Sequence, residues 1–110
     1  MTKGAEEVEK LRRLCRGAEL WDEGGQEIVF LPDLRFESSS GRREMDALLW
    51  PAPRDGYESR LFLSEAIPAR AGHNGAANIK GRPWYAVSWR GVSASLPWVE
   101  VLANHLRAYR

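Results

Sequence analysis

Between residues 27 and 89 the chain delivers short apolar runs, and proline stops one after another. Glu27-Ile28-Val29-Phe30-Leu31 is rich in strand formers and meets Pro32-Asp33. Leu34-Arg35-Phe36 either continues that strand past a bulge or begins another. A run over 45–50 ends at Pro51-Ala52-Pro53, and one over 59–66, centred on Leu61-Phe62-Leu63, ends before Pro68. Runs of this length, bounded by Pro and Gly, predict strands. Arg54-Asp55-Gly56-Tyr57 reads as a turn, and the polar stretch 37–43 as a loop. Residues 69–81 form the longest segment without apolar pattern, with His73 and Asn74 among Gly72, Gly75 and Gly81. A last strand over 83–89 would send Trp84, Ala86 and Ser88 one way and Tyr85, Val87 and Trp89 the other.

The flanks have a different period. Val8, Leu11, Leu14 and Cys15 recur at three- and four-residue steps, which predicts a helix over 5–16. Thr2 is a cap for it, Gly17 a stop, and Glu9 and Arg13 a favourable pair. Near the other end, Trp98, Val101, Leu102, His105, Leu106 and Tyr109 make a second stripe, over 96–109. Ser95 would cap that helix and Pro97 would sit in its first turn. Helix, antiparallel meander of three or four strands, irregular loop, helix is the order of an α+β two-layer domain.

At 110 residues the chain suits one domain with a real core. A formal net charge of +1 gives no global case for nucleic acid or an anionic membrane. No apolar run approaches the roughly 18 residues of a membrane span, and no signal-peptide core follows the charged first residues. One cysteine cannot close an internal disulfide, so a reducing cytoplasm is the simplest expectation.

Cys15 is expected to pack. It lies on an apolar stripe near a helix carboxy terminus, where the dipole disfavours a thiolate. His73 and His105 stand far apart with no cysteine at ligand spacing, so no metal site and no cofactor is expected. His105 reads as a histidine at the edge of the core. Ser88, a small hydroxyl between tryptophans, must find a partner or reach solvent. Arg90 at the strand end offers a fork for a carboxylate.

Several motifs then occur in a telling order: Asp46-Ala47-Leu48-Leu49-Trp50-Pro51, Gly56-Tyr57, Leu61-Phe62-Leu63, Gly81-Arg82-Pro83-Trp84, Ser88-Trp89 and His105-Leu106. Residues 27–110 thereby resemble the prokaryotic family E of ubiquitin-conjugating-enzyme-like (UBC-fold) domains. The resemblance implies a UBC fold and a bacterial setting with a ubiquitin-like modifier, its activating enzyme and a JAB-type peptidase. It also exposes a departure. Eukaryotic members place a His-Pro-Asn segment ahead of a catalytic cysteine, the asparagine donating to the oxyanion. Here His73-Asn74 echoes that segment without its proline, and no cysteine follows. The region expected to hold the nucleophile, 84–90, offers only the hydroxyls of Tyr85 and Ser88, with His73 or His105 as base.

The resemblance therefore implies either a domain that binds the modifier or activating enzyme without chemistry, or a non-cysteine transferase carrying the modifier as an ester on Ser88. A reading from another class is a non-catalytic peptide- or nucleic-acid-binding module using Trp84, Trp89 and Arg90, with Arg82 beside them. Nucleic acid would further need a basic groove.

Overall fold

In the computed structural model, residues 3–70 and 74–110 are described, Asn74 by its backbone alone. Thr2 and His73 lie outside the described residues. The elements are α1 (Lys3–Leu11), β1 (Glu19–Glu23), β2 (Gln26–Ser38), β3 (Gly41–Trp50), β4 (Arg60–Leu63), β5 (Asn74–Ile79), β6 (Arg82–Val87) and α2 (Trp98–Leu106), then a 3-10 turn over Arg107–Tyr109. The strands form one antiparallel sheet in the order β1-β2-β3-β4-β6-β5. The protein is thus an α+β fold with a six-stranded sheet, larger than the three or four strands expected.

The two extra strands come from segments with little apolar content. β1 carries only Leu20 and Trp21 as large apolar residues, and it pairs with β2 through Gly24 and Gly25, whose φ values of 59° and 89° suit a tight hairpin. β5, Asn-Gly-Ala-Ala-Asn-Ile, lies inside the stretch read as irregular; it pairs with β6 across Lys80 and Gly81. The supposed loop 37–43 is also a hairpin. β2 runs on to Ser38 and β3 starts at Gly41, with the exposed ion pairs Arg42–Glu37 (3.2 Å) and Arg35–Glu44 (2.9 Å) across the strands. Both faces are wet there, so hydrophobic alternation fades before the pairing does.

β2 passes through Pro32 on a bulge between Leu31 and Leu34, where Asp33 has φ 52°. The one extra residue switches the parity of the strand. Val29 and Leu31 before the bulge, and Leu34 and Phe36 after it, all enter the same core cluster. That cluster joins one sheet face to Val8 and Leu11 of α1, Trp98, Val101 and Leu102 of α2, and Tyr109. The opposite face buries Ile28, Leu48, Trp50, Phe62, Ile79, Trp84 and Ala86, with Trp21 and Phe30 packed beside them. Among the described residues no helix residue contributes to this second cluster. Instead the sheet curls over it: Phe30 on β2 meets Trp84 on β6 edge-to-face at 6.3 Å. In a flat sheet these strands, three places apart, would be roughly 14 Å away.

The helices differ from expectation at their ends. α1 stops at Leu11, and residues 12–16 are turn, although Leu11 and Cys15 are buried as the stripe required. Leu14, read on the same stripe, is exposed because the helix ends before it. Glu9 pairs with Arg12, not Arg13. Gly17 is not the helix stop, since α1 already ends at Leu11; the glycine answers a need for space, because a Cβ there would lie 2.7 Å from Pro32 Cγ. Ser95 does not cap α2, since its hydroxyl bonds Ser93 at 2.7 Å. Pro97 occupies the cap position, and the free N–H of Trp98 donates to Glu7 Oε1 of α1 at 3.0 Å. The chain end is tied on two sides, Ser39 N–H donating to Tyr109 O and Arg70 N–H to Ala108 O, each at 2.7 Å.

Candidate functional site

The sequence places its candidate chemistry around the end of β6. Tyr85 is half-buried on the strand, opposite Leu63 and Ala76. Ser88 follows the last paired residue and is exposed, and among the described residues its hydroxyl has no hydrogen-bond partner. Trp89 turns back at once: its amide donates to Val87 O at 3.0 Å and its indole N–H to Asn104 O on α2 at 2.9 Å. Half-buried against the helix-side core, this tryptophan fastens the strand end to α2. Trp84 is fully buried at 0% exposure, with its indole N–H donating to Ile79 O. It therefore offers no free face for stacking a base or a peptide ring.

His105, expected at the edge of the core, is buried within it, 5% exposed on α2. Its Nε2 is 2.9 Å from Ser59 Oγ, and Ser59 is 1% exposed. A buried Ser–His pair invites comparison with a nucleophile and its base, but the third partner decides otherwise. Ser59 Oγ also lies 2.7 Å from Val92 O. A carbonyl only accepts, and serine has one proton, so Ser59 donates to Val92. His105 Nε2 must then carry a hydrogen and donate to Ser59. That nitrogen cannot take a proton from the hydroxyl, so the pair ties β4, the loop at Val92 and α2 together. Burial, helped by the Arg60 charge, lowers the His105 pKa to about 4, which keeps the ring neutral.

A second set of residues lies on the outer face of the sheet; the sequence singles out Arg82, Trp84 and Arg90 but not Trp50, Arg54, Tyr57 and Arg60, which join them. Arg54 lies over Trp50 with its guanidinium 4.3 Å from the ring centroid, and Arg82 over Trp84 at 4.4 Å. Arg60 and Arg90 flank the Tyr57 ring at 4.3 and 4.8 Å. Arginine stacks on aromatic rings through charge and planarity, and its methylenes cover apolar surface. This is how Trp50, Phe62 and Trp84 stay buried on a face without a helix. Asp55 Oδ2 lies 3.3 Å from Arg54 Nε and 3.0 Å from Arg60 Nη1, while Asp46 Oδ2 pairs with Arg82 at 3.4 Å. Arg60, 9% exposed, spends its other nitrogen on Val87 O at 3.2 Å. Arg90 is exposed and, among the described residues, donates only to Gly56 O, at 3.4 Å. The available signal was the period-two spacing of Arg60 and Phe62, and the turn at Asp55 and Gly56 that returns Tyr57 to the sheet.

The hollow beside Arg90, lined by Gly56, Tyr57, Glu58 and Gly91, measures about 180 Å³, below the size of ordinary cofactor pockets. Among the described residues no group of three His, Cys, Asp or Glu side chains could hold a metal ion. Cys15 is free and buried, its thiol donating to Pro32 O at 3.1 Å. No helix is long and apolar enough to cross a membrane among the described residues. Compared with protein-family profiles, curated proteins and solved structures, the chain finds no match.

Proposed function

We propose that this domain is a non-catalytic member of a bacterial ubiquitin-like conjugation system, one that binds the modifier or its activating enzyme without carrying the modifier itself. The family resemblance brings in the system; the α+β order of helix, antiparallel strands and helix supports it, while the β5–β6 hairpin stands where the resemblance led us to expect an irregular segment. The observation that carries the non-catalytic half is His105. Its Nε2 hydrogen is committed to buried Ser59, so it cannot serve Ser88 as a base. A serine ester needs a base, because a free hydroxyl is a weak nucleophile; of the two histidines expected in that role, His105 is committed elsewhere and His73 lies outside the described residues.

The test combines this protein with a bacterial ubiquitin-like modifier and its activating enzyme, plus ATP. Intact mass should show the activating enzyme charged and this chain unmodified, while titration calorimetry shows saturable binding to one of the two proteins. A hydroxylamine-sensitive adduct that vanishes in Ser88→Ala overturns the non-catalytic reading. Failure to bind either protein overturns the assignment to the system.

A further inference from the structure

A sheet that is not closed has two edges, and here they are treated differently. β1 carries Glu19, Asp22 and Glu23 on a five-residue strand. Charges on an edge discourage pairing with a stray strand. β5 has no charged residue, no proline and no register break against β6. Among the described residues no strand pairs with its outer side.

The register shows which backbone groups that side presents. Opposed residues in an antiparallel pair alternate between those that exchange hydrogen bonds and those that do not. Asn78 stands opposite Pro83, which has no N–H, so this is a non-bonded position. Two residues along, Ala76 opposite Tyr85 is non-bonded as well, and the backbone of Asn74 follows in the same phase. The other side of β6 agrees, because Tyr85 pairs outward with Leu63 of β4. The N–H and C=O groups of Asn74, Ala76 and Asn78 therefore point away from the sheet. Gly75, Ala76 and Asn78 are exposed and small, so a neighbouring backbone can come close. Lys80, exposed at the hairpin tip, makes no ion pair among the described residues.

We propose that the β5 edge is a strand-addition site for an extended segment of another protein, uncharged along β5 and acidic where it reaches Lys80. Main-chain hydrogen bonds to Ala76 and Asn78 supply the affinity, as in other recognition by sheet extension. A second copy of this chain is the poorer occupant. Pairing over six residues buries far less than the roughly 1,200 Å² typical of a stable interface. This site is independent of Ser88 and of the modifier, so it stands or falls apart from the conjugation reading.

The probe is a phage-displayed library of random peptides, with selected sequences then synthesised and titrated. In the free protein the amides of Ala76 and Asn78 should exchange quickly with deuterium, and those of Ala77 and Ile79 slowly. Peptide at ten times its Kd should slow the first pair by roughly tenfold. Ala76→Pro removes one outward N–H and leaves the β6 ladder untouched, so it should weaken binding by about tenfold at an unchanged melting temperature. Should that variant unfold, N-methylation of alternate residues of the peptide makes the same test from the other side. Failure to select any binder tighter than about 1 mM overturns the proposal. So does equal binding to Ala76→Pro, or peptide protection confined to other amides. Dimerisation that by itself protects Ala76 and Asn78 replaces the proposed partner with a second copy.

Discussion

Ser59 and His105 lie 2.9 Å apart in the core, and the hydrogen between them belongs to the histidine. Val92 O fixes that assignment by claiming the serine proton. Ser59→Ala should therefore cost stability, not activity. It strands a buried imidazole N–H and a carbonyl, worth about 1–3 kcal/mol each when unsatisfied. Urea denaturation should show the loss as a lower midpoint at constant slope. An active-site serine reagent should leave Ser59 unlabelled in the native protein.

The same histidine predicts an acid-side pH dependence. Its pKa falls from 6.5 to about 4 on folding, chiefly through burial. The unfolded chain then binds the proton first, so stability is fully present above about 6.5 and drains away as pH falls towards 4. His105→Gln keeps a donor for Ser59 but cannot titrate. Denaturation midpoints across that range should fall more steeply for the parent protein than for the variant. Equal slopes would refute the assignment.

Glu7 gives a second, separable acid effect. Burial alone would raise its pKa, but the Trp98 N–H and the Lys10 ammonium at 3.2 Å hold it below the usual carboxylate range. A carboxylate whose pKa drops on folding stabilises above its unfolded value of about 4.5, and that contribution is lost as pH falls through the folded value. At neutral pH Glu7→Gln should lose about 1 kcal/mol, since a charged acceptor becomes a neutral one on a helix end whose own Pro97 makes no side-chain cap. The check is urea unfolding at neutral pH and near pH 3, where parent and variant should converge.

How much of this was legible depended on whether a residue's burial is set by its own element. Val8 and Leu11, Leu61 to Leu63, and the Trp98–Tyr109 stripe announce themselves by pattern, and all are buried where expected except Leu106, which is half-buried. Cys15 packs as its stripe implied, though beyond the helix and not within it. β5 and the Ser38–Gly41 hairpin stayed hidden because small or polar residues give no period to read. The Ser59–His105 pair spans 46 positions, and the Glu7–Trp98 bond spans 91. No local pattern encodes such partners. Trp84 could pack in a central strand or bind a partner; the curl of the sheet and the Arg82 guanidinium settle it as packing.

Tyr109 carries a prediction about the chain end. It is 2% exposed, packs against Phe36 with ring centroids 6.0 Å apart, and lends its carbonyl to Ser39. Burial pushes its phenol pKa up to about 12. Tyr109→Ala removes a large core side chain and should cost about 3–5 kcal/mol. Tyr109→Phe keeps the volume and should cost far less. Ultraviolet titration of the native protein should leave one tyrosine un-ionised at pH 11, and that one should be missing from Tyr109→Phe.

The last prediction concerns Cys15. Burial raises its thiol pKa, and the carboxylates of Asp33 and Asp46 add to the shift. A thiol whose pKa rises on folding contributes stability below its unfolded value of about 9, and loses it as pH climbs through the folded value. Reactivity follows from the same burial, since only thiolate attacks a disulfide reagent. Native protein at pH 8 should react with Ellman's reagent at a small fraction of the rate of the urea-unfolded chain. Rates should rise with urea in step with the unfolded population. Cys15→Ala should shift stability by about 1 kcal/mol through lost packing and the lost bond to Pro32 O, leaving partner binding unchanged. Fast labelling of the native thiol would contradict a packing role, because a reactive cysteine needs both exposure and an environment that favours its anion.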